Sequence, residues 1–135
     1  NIDMTSVAPT TALTSASINW GVYYTYAVQC MIDGTPIDVD WCKGFAEGAD
    51  KLTPLNEDVV AEGTAEKVEE VENAIIDGSL HVFDTSTFTV DGEEVTTYEK
   101  NDIEYISDGY FHESEFGSAP AFDLAIDGIT SIVEE

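Results

Sequence analysis

Side chains that carry most chemistry are sparse in this chain of 135 residues, which has two histidines and two cysteines. His81 and His112 each stand beside apolar residues. Neither has a Cys or His partner at ligand spacing, so both read as part-buried structural histidines rather than a zinc site. No serine sits in a G-x-S-x-G elbow, and no glycine-rich phosphate loop is present. Carboxylates abound, with 28 Asp+Glu, so a pair at catalytic spacing arises from number alone. Asp33, Asp38 and Asp40 lie close in sequence but lack the glycine and terminal glutamate of a calcium loop. Asp91, Glu93 and Glu94 cluster at a turn. Both groups read as hydrated acidic surface, with cation contact as the sharper alternative. The pattern points away from an enzyme, and a hydrolase fragment assembled only in three dimensions is the alternative it leaves.

Cys30 and Cys42 are separated by a turn, on a helix and the segment that follows. A disulfide needs α-carbons within about 7 Å, which a helix-to-strand return can supply. A buried free thiol at Cys30 is the equal alternative.

The element that positions most of these groups runs from Leu13 to Gly34. A short alternating segment, Ala12 to Ile18, predicts a strand, and a polar turn leads to a helix ending at Asp33 with Gly34 as its left-handed cap. Asn19 or Ser17 is the expected N-cap. Tyr23, Ala27, Cys30 and Met31 share one face, and Val22, Tyr26 and Ile32 widen it until no polar face is left, which predicts a buried helix. Ile37 to Phe45 reads as a strand. A second helix, opened by Thr64, spans Ala65 to Asp77, with an apolar stripe of Ala65, Val68, Val71 and Ile75 and an acidic opposite face. Leu80 to Phe83 and Ile103 to Ile106 read as strands, and Phe88 to Tyr98 as a hairpin about Asp91-Gly92. The tail from Ser107, rich in Phe, Leu and Ile, is expected to wrap over the domain and end in a short element near Ile129 to Val133.

Length and composition fit one folded domain, with 43% hydrophobic and 10% aromatic residues. The formal net charge of −24 argues against nucleic acid or an anionic membrane as a partner, since both would be repelled. It suits a soluble extracellular surface. No run approaches the length of a membrane span.

Several segments, in order, resemble the basic membrane protein (BMP, or Med) family of ABC-transporter substrate-binding lipoproteins. These are LTS followed by WG-x-YY and a helix ending IDG, then WCKGFAEG, LTPLN, IIDGSLHVF and GYFHESEFGSAPAFDLAIDGI. The resemblance implies an α/β fold, the C-terminal lobe of a type I periplasmic-binding-protein fold, with a parallel sheet flanked by helices, a β-hairpin and a wrapping tail over 107–135. It also implies a fragment, since NIDM is similar to an internal strand end of the family. The N-terminal lobe, signal and lipid anchor would then lie elsewhere in the full protein.

The function so implied is capture of a purine nucleoside or base in an interlobe cleft, for delivery to an ABC permease at the cell surface or in the periplasm, with no cofactor and no metal. In that fold the cleft lies at the carboxyl ends of the strands. Asn1 and Asp3 would end one strand, and Asn19 and Trp20 would follow the next, with Trp20 stacking on the ligand. The sequence departs from nucleoside-binding relatives in two places. Their strand-end aspartate falls on Asn1, and their lysine falls near Ile18 or Asn19, which leaves a neutral purine base as an equal ligand. Each residue also has a plainer use: Trp20 sealing the helix, Asn19 capping it, Asp3 satisfying loop amides. The other function class is an acidic extracellular interaction module with no small-molecule ligand.

Overall fold

The computed structural model describes residues 3–130. Among these residues it is mixed α/β, with two α-helices and three small antiparallel strand pairs. The chain forms two compact units, one ending at Leu80 and the other beginning at His81.

In the first unit, β1 (Ala16–Ile18) pairs antiparallel with β2 (Asp50–Leu52), Ala16 facing Leu52 and Ile18 facing Asp50. Between them α1 covers Trp20–Asp33. The parallel sheet expected from sequence is not what forms. Fourteen residues of helix carry the chain about 21 Å away from the tip of β1. The segment 34–49 then returns it to that same tip, where the Asn19 amide donates to the Ala49 carbonyl at 2.7 Å, so β2 must run back along β1. That return segment is irregular rather than a strand over Ile37–Phe45, and Val39 within it is fully exposed.

The expected strand over 12–18 is regular only at its end. Before Ala16, the Thr53 amide still donates to the Ser15 carbonyl at 2.9 Å and the Asn56 amide to the Leu13 carbonyl at 2.8 Å, and side chains of the LTPLN segment add to these. The Thr53 hydroxyl accepts from the Ser15 amide at 2.9 Å, the Thr14 hydroxyl donates to the Thr53 carbonyl at 2.6 Å, and the Asn56 side-chain amide donates to the Pro9 and Ala12 carbonyls at 2.8 and 3.0 Å. Pro54, which has no N–H to donate, interrupts the regular ladder between the Thr53 and Asn56 backbone bonds. Asn56→Ala removes both of its bonds at once, and we expect it to cost the first unit about 1–3 kcal/mol, read as a lowered denaturant midpoint at unchanged m.

Both helices end where Asp-Gly predicts. Gly34 adopts φ 68° and donates to the Cys30 carbonyl, and Gly78 follows α2 (Thr64–Ile76) at φ 76°. The start of α1 differs from expectation, because Asn19 makes no side-chain cap bond. Its amide group is drawn instead to the Gly48 carbonyl at 3.0 Å. Gly21 permits this, since a β-carbon there would meet Asn19 Oδ1 at 3.3 Å.

Nor is α1 buried all round. Cys30 is its one buried residue, and Trp41 from the return segment covers Tyr23 and Tyr26 at ring distances of 5.3 and 5.9 Å. Trp20, Tyr24, Val28, Met31 and Ile32 stay exposed. A buried helix needs cover on both sides, and the two short strands cover neither of these faces completely.

In the second unit, three tight turns place two successive residues at positive φ: Asp91-Gly92, Asn101-Asp102 and Asp108-Gly109. That backbone matches the twist of antiparallel strands. The last two close the pairs β3 (Glu99–Lys100) with β4 (Ile103–Glu104), and β5 (Ile106–Ser107) with β6 (Tyr110–Phe111). The expected hairpin at Asp91-Gly92 forms its turn, with Val90 and Glu93 exchanging bonds of 2.9 and 3.1 Å, but no ladder beyond. Leu80 to Phe83 is a turn, not a strand.

Ile106, Phe111 and Ala121 form the buried core, packed by Phe83, Val95, Tyr98, Tyr105, Phe122 and Leu124. The tail closes this core through carboxylates that accept backbone bonds. Glu113 receives the Ala121 and Phe122 amides, both at 2.7 Å. Asp127 receives the Thr89 hydroxyl at 2.6 Å and the Gly92 amide at 2.8 Å. Residues 129–130 are irregular, and the rest of the expected terminal element lies outside the described residues.

Four carboxylates of the second unit, Asp84, Glu104, Asp123 and Asp127, make it acid-sensitive. Bonds from Ser86 hold Asp84 below the usual carboxylate range, the Tyr98 and Ile106 amides do so for Glu104, the Tyr98 hydroxyl and Lys100 for Asp123, and Thr89 with Gly92 for Asp127. Depressed folded pKa values contribute stability above the unfolded pKa, and that contribution is lost as pH falls through the folded value. Against it, protonation relieves the self-repulsion of a chain at −24. We therefore expect the thermal midpoint to rise slightly from pH 7 to about 5 and to drop below about 4. Near-UV circular dichroism of the tyrosines would follow it, and a midpoint still climbing at pH 3 would contradict the assignment.

Candidate functional site

Of the four residues expected to bind ligand, Asn1 lies outside the described residues. Asp3 closes a tight turn, accepting from the Thr5 amide at 2.9 Å and the Thr5 hydroxyl at 2.8 Å. Those two bonds hold its carboxyl below the usual range. Its neighbour Met4 donates its amide to the Ser15 hydroxyl at 3.1 Å, which places Asp3 beside the start of β1. Asn19 and Trp20 sit past the other end. Four residues of extended chain, about 13 Å, separate Ser15 from Asn19. The structure therefore brings Asn19 and Trp20 together and leaves Asp3 apart from them.

At the far tip of β1, Asn19 is largely committed to holding the loop at Gly48. Trp20 is not committed. It is 54% exposed and stacks on Tyr24, rings 6.1 Å apart at 22°, with Tyr23 against its edge at 6.5 Å. The result is an outward aromatic surface at the start of a helix, next to an amide oxygen. Planar heteroaromatic molecules stack on such a face. Tyr24 was not singled out by sequence, although its spacing of four from Trp20 is the signal that puts both rings on one side of a helix.

A concavity lies beside α2, away from the Trp20–Tyr24 surface. Its apolar wall of Phe45, Leu52, Val68, Val71 and Ile75 borders a groove of about 390 Å³. No α2 residue is fully buried, so this groove is where its predicted stripe faces.

The remaining candidates have structural surroundings. Cys30 is buried and Cys42 exposed, both as free thiols. Among the described residues, no three His, Cys, Asp or Glu side chains converge as metal ligands. His81 stacks on Tyr110 at 3.6 Å, and Tyr110 faces His112 at 3.9 Å.

His112 joins a Ser-His-Glu arrangement that spacing did not reveal. Its Nε2 lies 2.7 Å from the Ser107 hydroxyl, and Nδ1 lies 2.8 Å from Glu115 Oε2. The Glu115 contact is out of line for a hydrogen bond, leaving Nδ1 without one. Nε2 also lies 3.3 Å from the Ser107 carbonyl, so the ring's tautomer sets whether Nε2 donates to Ser107 or accepts from its hydroxyl. In either form the contact clasps the β5–β6 turn.

No known protein-family model matches the chain. Over 92 residues, 68% of its length, it is 32% identical to a purine-binding protein of Brucella abortus (strain 2308). The match covers 26% of that protein, so the chain spans about a quarter of the length of this curated relative.

Proposed function

We propose that this chain is part of the solute-binding component of an ABC importer of the BMP type, and that it supplies one wall of a cleft for a purine base or nucleoside. The exposed Trp20–Tyr24 ring pair beyond β1 carries the reading. Likeness to a purine-binding protein supports it from an independent direction. Trp20 stacks on the purine, and Asn19 Oδ1 offers an acceptor beside it. Asp3 shapes its own turn and takes no part in recognition.

In this reading the chain belongs to the C-terminal lobe of a type I periplasmic-binding fold, and a second lobe supplies the opposite wall. Ligand favours the closed state by touching both, with no bond chemistry. The whole receptor is extracytoplasmic, lipid-anchored and docks on a permease.

The test is native mass spectrometry of the longer receptor after gentle purification. A co-purified mass in the range of a purine base or nucleoside is the expected result, released when Trp20→Ala is introduced. A receptor that carries no small molecule and stays unchanged by added adenosine, guanosine and hypoxanthine in calorimetry would favour the acidic interaction module instead.

A further inference from the structure

His112 is 8% exposed, and its two ring nitrogens have unlike surroundings. Nε2 lies 2.7 Å from the Ser107 hydroxyl and 3.3 Å from the Ser107 carbonyl. Nδ1 is buried and makes no hydrogen bond, although Glu115 Oε2 stands 2.8 Å away. A buried nitrogen left in this way is costly, and a carboxylate so close yet off the ring's axis calls for a reason.

We propose that His112 Nδ1 and Glu115 Oε2 are a donor pair for one divalent transition-metal ion of the kind that takes nitrogen and oxygen at right angles, copper(II) or nickel(II). With donor distances of about 2.0–2.1 Å, the 2.8 Å separation sets the angle at the ion to about 84–89°. Tetragonal and octahedral ions hold neighbouring donors at about 90°, whereas tetrahedral zinc needs about 109° and donors about 3.3 Å apart. An ion equidistant from both atoms lies about 1.5 Å to the side of the line between them. The oxygen must then sit off the nitrogen's lone-pair axis. That is where a hydrogen bond fails and where Glu115 is found.

The surrounding chain suits such a ring. An ion on Nδ1 leaves the ring proton on Nε2, and a metal-bound histidine donates that N–H to a carbonyl or carboxylate. The Ser107 carbonyl is in place to receive it. Ser114, at φ 64°, turns the chain between the two donors. Glu113 does not compete, since it holds the Ala121 and Phe122 amides. Asp108 and Glu115 both add negative potential beside Tyr110, whose ring faces His112 at 3.9 Å. Glu115 is 53% exposed, so an ion enters from solvent and keeps water in its remaining positions. Two donors and water make a weak site, in keeping with the lack of any three-donor cluster among the described residues. The ion pins the turn over 112–115 beside the β5–β6 hairpin, and the site does not depend on the purine reading.

Copper(II) added to an untagged chain carrying His81→Gln tests it, because His112 is then the one imidazole left. At one equivalent, pulsed electron paramagnetic resonance should show modulation from the remote nitrogen of a single imidazole. Glu115→Gln alters an exposed side chain and should leave far-UV circular dichroism unchanged. It should weaken copper(II) binding, read by competition with glycine, by at least the roughly tenfold that losing an outer partner costs. Nickel(II) should bind more tightly than zinc(II). Copper held by carboxylates alone, with no imidazole modulation, would overturn the inference. So would an affinity indifferent to Glu115→Gln, or zinc(II) bound more tightly than nickel(II).

Discussion

Replacing Phe111 by alanine should abolish the ordered state of the second unit. Phe111 is 2% exposed, and its ring lies within 5.0 Å of Phe122 and 5.3 Å of both Tyr98 and Tyr105. Removing such a ring costs about 3–5 kcal/mol, through lost transfer energy and the cavity it leaves. A unit of this size has little more than that in total. Among the described residues its buried apolar cluster is Ile106, Phe111 and Ala121, a set too small for neighbours to compensate. Phe116→Ala is the control. That ring is 52% exposed and touches Tyr105 at 5.4 Å, so its loss should cost no more than about 1 kcal/mol. Near-UV dichroism reports Tyr98 and Tyr105 directly. A Phe111→Ala chain that keeps this signal to the wild-type midpoint would show that the core lies elsewhere.

The second large effect concerns binding. A cleft that needs two walls binds poorly with one, because the ligand gains only half its contacts while losing the same translational freedom. Purines should therefore bind this chain with dissociation constants of roughly 0.1–10 mM, worth about 3–5 kcal/mol. Trp20→Ala should remove most of that, since the stacking face then disappears. Asp3→Asn should change nothing, because the carboxylate is engaged with Thr5 at the other end of β1. Calorimetric binding below 1 µM by the chain alone would contradict a half-cleft.

How much of this was legible in the sequence differs from element to element. The bounds of α1 followed from apolar spacing and from Asp33-Gly34, because both are local. Its exposure did not follow. Hydrophobic run length tells what a helix is able to bury, and only the surrounding chain decides what covers it. The direction of β2 was set by the return segment at Asn19 and Ala49, a long-range bond that leaves no local mark. Resemblance to a parallel fold then pointed the wrong way for the strands described.

Asp108-Gly109 was readable as a hairpin turn by the same rule applied to Asp91-Gly92, since both pair an acid with a glycine between strand-prone residues. The Asn101-Asp102 turn was harder, because neither residue is glycine and Asp tolerates positive φ only with a modest strain. The Ser107–His112 contact needed the register of β5 on β6 before the two residues could be placed side by side. At the candidate site, Trp20 was found by its position after a strand. Tyr24 needed the helix phase. The separation of Asp3 from Trp20 came from the Met4–Ser15 bond, which two strands assumed parallel could not reveal.

The most direct test is a nitrogen-15 amide and indole chemical-shift titration of the dilute chain with hypoxanthine or adenosine. The account predicts saturable shifts in the millimolar range, confined to the Trp20 indole and the amides of Asn19, Trp20, Gly21 and Tyr24, with none at Asp3. Shifts centred on Val68, Val71 and Ile75 beside α2, or no shifts at all at ligand saturation, would contradict it.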